Sequence, residues 1–172
     1  VQAITLGDLL QKVHLRTRPY EAVPGLADRL MRRWTTIARE HFLNGGHSTT
    51  WGRRTSYKTI INGIVDDFEH LDLVDGPRKP RVGVLGEILV QFHPDANNHI
   101  VETIESEGCE AVLPGLMWFV YNCLSAGDYN YKTFGTDKWS RHVKKAFRAL
   151  LMQYQKPVTT ALRKSTRFEV PT

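Results

Sequence analysis

Two cysteines, three methionines and no apolar run of membrane length place several classes of protein out of reach of this 172-residue chain. Cys109 and Cys123 can form one disulfide at most, and their spacing is neither the paired CxxC of a zinc site nor the Cys-rich run of iron–sulfur ligation. Two reduced thiols in a cytosolic core are expected, because free cysteine is among the most buried residue types. A role for Cys123 beside a neighbouring redox centre is the rarer alternative. The densest apolar stretch, Leu116 to Tyr121, is far too short to cross a bilayer and reads as core. No basic-then-apolar leader follows Val1, so a cytoplasmic chain without a membrane partner is expected. GxGxxG, the Walker phosphate loop and the GxSxG elbow are missing too. The one glycine pair, Gly45-Gly46, follows a helical pattern rather than a strand, which leaves nucleotide binding without support.

What is present suits a folded domain. Hydrophobic residues make up 41% of the chain, enough to build a core, and the length fits one domain or a compact domain with appended helices. The net charge of +5 is unevenly spread. From Lys132 to Arg167 the chain carries Lys138, Arg141, Lys144, Lys145, Arg148, Lys156, Arg163 and Lys164 as well, against Asp137 alone, while the remainder is net acidic. Such a run is usually a solvated helical face. Nucleic acid is the rival partner, and it is disfavoured because no aromatic–basic recognition element accompanies the charge.

Periodicity divides the chain. Thr5 can cap a first helix whose Leu6, Leu9, Leu10 and Val13 fall on one face, and Arg18-Pro19 should end it. A second helix is expected from near Pro24, with Leu26, Leu30, Trp34, Ile37 and Ala38 as its stripe and Gly45-Gly46 as its stop. A third carries Tyr57, Ile60, Ile61, Ile64, Phe68 and Leu71. The polar, proline-bearing connector from Asp75 to Pro80 marks a boundary between a helical region, 1–75, and an α/β region with C-terminal helices, 80–172. Val82 to Leu85 reads as a buried parallel strand, 97–106 as a helix stopped by Gly108, and Ala111 to Leu113 as a second strand. Together they form a βαβ unit. Beyond it, Leu116 to Leu124 should be a helix buried all round, with a break at Ala126-Gly127-Asp128 and a loop to Thr136. Thr136 or Asp137 can cap a last long helix along Trp139, Val143, Phe147, Leu150, Leu151 and Tyr154, which Pro157 should kink or interrupt. The expected class is therefore α/β, a three-layer core with a small parallel sheet plus a helical N-terminal region. Two strands alone do not make a stable sheet, so further strands are needed from somewhere.

Open α/β sheets bind ligands at the carboxyl ends of their strands, which here means the stretch from Gly86 to His99. It is long for a connection where about two to six residues are usual. It ends at a helix N-terminus, whose free N–H groups favour an anion. Glu87, His93, Asn97 and Asn98 are the candidate anion or ligand site, with a phosphate or an acyl-CoA as occupant. The competing expectation is a structural loop in which Asp95 or Asn97 caps the helix and Phe92 plugs the core. His93 and His99 are spaced too far apart for the usual helical metal pair, so no metal is expected.

The central residues are more specific than these generic features. Lys79-Pro80-Arg81-Val82-Gly83-Val84-Leu85-Gly86-Glu87-Ile88-Leu89-Val90, followed by Phe92-His93-Pro94 and Ala96-Asn97-Asn98, resembles the hallmark segment of large multidomain activases of 2-hydroxyacyl-CoA dehydratases. Glu107-Gly108, Glu110-Ala111-Val112 and Pro114 continue the likeness. Arg18-Pro19-Tyr20-Glu21, Val65-Asp66-Asp67-Phe68, Lys156-Pro157 and Ser165-Thr166-Arg167-Phe168-Glu169 extend it over nearly the whole chain. The resemblance implies a parent protein with actin-like ATPase domains, in which ATP hydrolysis drives an electron from an iron–sulfur cluster into an acyl-CoA dehydratase. This chain is similar to the dehydratase-related part of such a parent. ATP and the cluster belong to the parent and no cofactor is expected here; the implied partners are the other domains of the parent chain and the dehydratase. A non-catalytic docking or binding module is the expected function. A dehydratase-like lyase domain is the alternative, weakened by the lack of cluster ligands, and no catalytic residue carries over.

Overall fold

In the computed structural model, which describes residues 1–48, 53–135 and 138–170, helices predominate and the one parallel sheet has two strands. Helix α1 (Gln2–Thr17) buries Leu6, Leu9, Leu10 and Val13 as their spacing requires. Thr5 is not its cap. That residue lies inside the first turn, where its hydroxyl donates to the Val1 carbonyl at 3.1 Å. The helix gives way to a 3-10 turn, Arg18–Tyr20, with Pro19 in its first positions.

Helix α2 (Leu26–Leu43) begins after Gly25 and is capped from outside. The Glu21 carboxylate accepts from the backbone N–H of Gly25 at 2.6 Å and of Ala27 at 2.8 Å. Its end uses the Gly45-Gly46 pair, both residues left-handed, with the Gly46 N–H donating back to His41. A short antiparallel ribbon, β1 (His47–Ser48) with β2 (Arg53–Arg54), leads to α3 (Tyr57–Glu69), whose cap Ser56 accepts from the Thr59 N–H.

The region after the connector holds the expected βαβ unit. Strand β3 (Arg81–Gly83) pairs in parallel with β4 (Glu110–Val112), Val82 opposite Ala111. Between them the chain forms α4 (Ile88–Phe92), a 3-10 turn Pro94–Ala96 and α5 (Ile100–Ser106), which stops at Gly108 with φ +77°. The stretch from Gly86 to His99 is thus mostly short helix rather than open loop. Strand β3 also departs from expectation. It is exposed along its length, with Val82 at 38% and Leu85 just beyond it at 72%, because among the described residues β4 is its one strand partner and α1 packs on β4.

Helices α6 (Leu116–Phe134) and α7 (Lys138–Leu162) pack on each other as a hairpin. Neither follows the sequence pattern fully. Helix α6 runs through Ala126-Gly127-Asp128 without the expected break, and Trp118 and Phe119 are exposed although an all-round buried helix was expected. Helix α7 runs through Pro157, and Val143, Phe147 and Leu150 lie exposed. Thr136 and Asp137, the expected caps of α7, lie outside the described residues. The C-terminal part of α7 does reach the core. Val158, Ala161, Leu162 and then Phe168 join α1, α2 and α3 in one buried cluster with Trp34, Ile37, Ile60, Ile64 and Phe68, so residues on both sides of the connector share it. Among the described residues no helix is long and apolar enough to cross a membrane.

Candidate functional site

Two faces of α1 do different work. Leu6, Leu10 and Val13 enter the core, whereas Asp8, Lys12 and Arg16, one turn apart from each other, look with Leu9 and Leu15 into a cleft of roughly 380 Å³. That is the size of a small-molecule site. Arg78 and Arg81 stand on one rim, and the turn from Glu110 to Gly115 with Trp118 forms a wall. Val158, Leu162 and Phe168 make an apolar floor, and Glu169 closes the rim beside the two arginines.

Each charged group there has a defined setting. Glu110, on β4, is almost fully buried, and its carboxylate accepts from Arg16 Nη1 at 2.9 Å and from the Tyr20 hydroxyl at 2.9 Å, with Arg81 Nε at 3.4 Å. Two guanidinium groups and a phenol satisfy this buried anion, as burial of a charge demands. Asp8 reaches across to the start of α6 and accepts from the backbone N–H of Leu116 and of Met117, both at 2.8 Å. An aspartate from another helix therefore serves as the cap of α6. Burial pushes its carboxyl above the ordinary value, although those two hydrogen bonds pull the other way. Gly115 is required for this approach: a Cβ there would stand 2.6 Å from the Asp8 carboxylate.

Lys12 is the cation left over. Its ammonium makes no ion pair or hydrogen bond among the described residues, and burial lowers its pKa more than the nearby Glu169 raises it. Glu169 itself lies 3.2 Å from Arg78 Nη2 and 3.3 Å from Arg81 Nη1. Small burial notwithstanding, the two arginines hold its carboxyl below the ordinary value.

The residues expected from sequence stand elsewhere. Glu87 caps α4, accepting from the Leu89 N–H at 2.9 Å. Asn97 donates to the Val90 carbonyl at 2.9 Å and accepts from the Ile100 N–H at 3.3 Å, so it holds the start of α5. His93 is exposed, and its main chain carries the turn. Asn98 and His99 are left-handed, with φ of +54° and +53°, a region where asparagine is tolerated. Of the four, Asn97 alone borders a second, smaller hollow of roughly 190 Å³ beside His14, Arg18 and Gln91. Gln91, rather than Phe92, is the buried residue of this stretch, and it donates to the Pro114 carbonyl at 3.2 Å. Both cysteines are free, Cys109 half-buried and Cys123 exposed. Among the described residues no cluster of His, Cys, Asp and Glu converges on a metal-sized site.

Sequence reasoning missed Asp8, Lys12, Arg81, Glu110 and Glu169. A turn-by-turn row of charges on α1 looks like a solvated face, and its partners are far away in the chain. Resemblance did point at Arg81, Glu110 and Glu169, without a role. The cleft is lined by carboxylates, cations and threonine hydroxyls beside apolar side chains, an arrangement able to hold a ligand with a charged head and an apolar body. The chain matches no protein-family profile, no curated protein and no solved structure.

Proposed function

We propose that the chain is a non-catalytic docking module from the dehydratase-related region of a 2-hydroxyacyl-CoA dehydratase activase, working in the cytoplasm. One observation carries this reading. The α6–α7 hairpin exposes Trp118, Phe119, Val143, Phe147 and Leu150, at 37 to 52% of their full accessibility. So many large apolar side chains left open along one pair of helices favour a further surface packing there. The other domains of the parent chain are the occupants the family resemblance supplies. The open edge of β3 fits the same reading, since strands added there would complete a three-layer α/β core. ATP, the iron–sulfur cluster and the dehydratase then belong to the parent and its partner, and an acyl-CoA or phosphate to the assembled protein. The Glu87, His93, Asn97 and Asn98 segment would lie at the seam.

A nucleic-acid module is the second reading, favoured by one feature: α7 carries six Lys and Arg residues and no acidic one. The apolar side chains among those charges argue for a protein surface instead. Hydrogen exchange of the isolated chain and of the complete activase decides. Peptides covering 116–124 and 143–152 are expected to exchange at least about tenfold more slowly in the complete protein, a change of about 1.4 kcal/mol in local opening. Equal rates in the two would remove the docking reading.

A further inference from the structure

Independently of any docking, we propose that the cleft beside α1 binds a small organic carboxylate with an apolar chain, its headgroup held by Lys12 and Arg81 and its chain laid on Val158, Leu162 and Phe168. The case begins with charge. Glu110 has its own partners in Arg16, Tyr20 and Arg81, and Asp8 has the first N–H groups of α6. Among the described residues Lys12 makes no such direct contact, although it lines a cleft that removes much of its water. Glu169 is near enough to favour its charge but makes no direct ion pair with it, and a ligand anion seated against the half-buried ammonium would relieve the cost of its burial.

Glu169 already shows what kind of group fits the rim. Its carboxylate bridges Arg78 and Arg81 from an exposed position near the end of the described chain. A guanidinium fork suits a planar carboxylate, so an incoming one can take over the contact while Glu169 swings to solvent. The rest of the lining selects the body of the ligand. The floor is apolar, and its volume admits a short chain rather than a bare ion. Asp8 also lines the cleft, one turn before Lys12, and a second negative charge on the ligand would be repelled there. A singly charged amphiphile is therefore the fit.

Isothermal titration of the chain with octanoate, octanol and inorganic phosphate tests this. Octanoate is expected to bind at least about tenfold more tightly than either of the other two, and Lys12→Met to weaken it by a similar factor. Glu169→Gln removes the internal competitor and is expected to tighten octanoate by about three- to tenfold, a change that loss of folding cannot mimic. Octanol binding as well as octanoate would mean a merely greasy cleft, and phosphate binding as well would mean a merely cationic rim. Either result overturns the proposal, as does unchanged affinity in Glu169→Gln.

Discussion

At the scale of single residues, the fold depends on a few side chains that need empty space beside them. Trp34 is buried at 2% exposure, and its indole N–H donates to Asp67 at 2.9 Å. The ring lies flush on α3 at Gly63, where an added Cβ would overlap it. A methyl group in a helix interior normally helps, by about 0.5–1 kcal/mol in replacing glycine. Here overpacking should win, since forcing extra atoms into a filled core costs about 1–3 kcal/mol. Gly63→Ala is expected to lower the urea midpoint without changing the slope. An unchanged or raised midpoint would show that the Trp34 ring has room to move. Arg18, Tyr20 and Glu21 are the other economical positions. Arg18 lies 2.7 Å from Glu105, Tyr20 joins Glu110 to the Lys79 N–H, and Glu21 caps α2. The four-residue segment from Arg18 to Glu21 thus ties α1, α2, α5 and β4 together.

At the scale of elements, legibility followed the source of the ordering force. Helices α1, α2 and α3 were readable because their order comes from apolar residues at helical spacing, and those residues are the core. The parallel pairing of β3 with β4 was readable too, from two short apolar runs flanking a helix. What misled was treating every apolar run as buried. Leu116 to Tyr121 and the α7 stripe are apolar, yet Trp118, Phe119, Val143, Phe147 and Leu150 among them stay exposed. The sequence cannot distinguish a face covered by its own chain from one left open. The cleft was illegible for another reason, since Asp8 and the start of α6 lie over a hundred residues apart. That contact makes a prediction. Removing a cap costs about 1 kcal/mol, with a range of about 0.5–2. Asp8→Ala is expected to lose that much and leave two N–H groups of α6 unpaired, and Gly115→Ala to lose a similar amount by displacing the same carboxylate. Because both act on one contact, the double variant should fall well short of the sum. Additive losses in chemical denaturation would mean that Asp8 and Gly115 act separately.

At the scale of the whole molecule, the C-terminal end of the described chain is fastened to the end of α3. After α7 the chain turns back along α3, and Phe168 drops into the core at 5% exposure. Glu69, the last residue of α3, holds that turn. It accepts from the Ser165 hydroxyl, from the Thr166 hydroxyl at 2.7 Å and from the Thr166 N–H at 3.0 Å. Arg167 completes the clasp by donating to the carbonyls of Phe68 and Leu71 at 2.8 and 3.0 Å. Slight burial would raise the Glu69 carboxyl, but the hydrogen bonds from Ser165 and Thr166, with the charge of Arg167, bring it below its ordinary value of 4.5. The sign of the linkage follows. The folded chain holds the proton less readily than the unfolded one, so the clasp contributes its full stability above pH 4.5 and loses it as the pH falls through the lower folded value. Glu69→Gln keeps one acceptor oxygen and discards the charge. At neutral pH it should cost about 1 kcal/mol, less than a buried charged hydrogen bond because the group is partly solvated. Thermal melts of both proteins from pH 7 down to about pH 3 provide the measurement. The gap in Tm is expected to be constant down to the ordinary glutamate range and to close below it, as protonation gives the parent chain the same neutral side chain as the variant. A gap that stays constant at every pH, or widens in acid, would show that the carboxylate charge does not hold the C-terminal turn against α3.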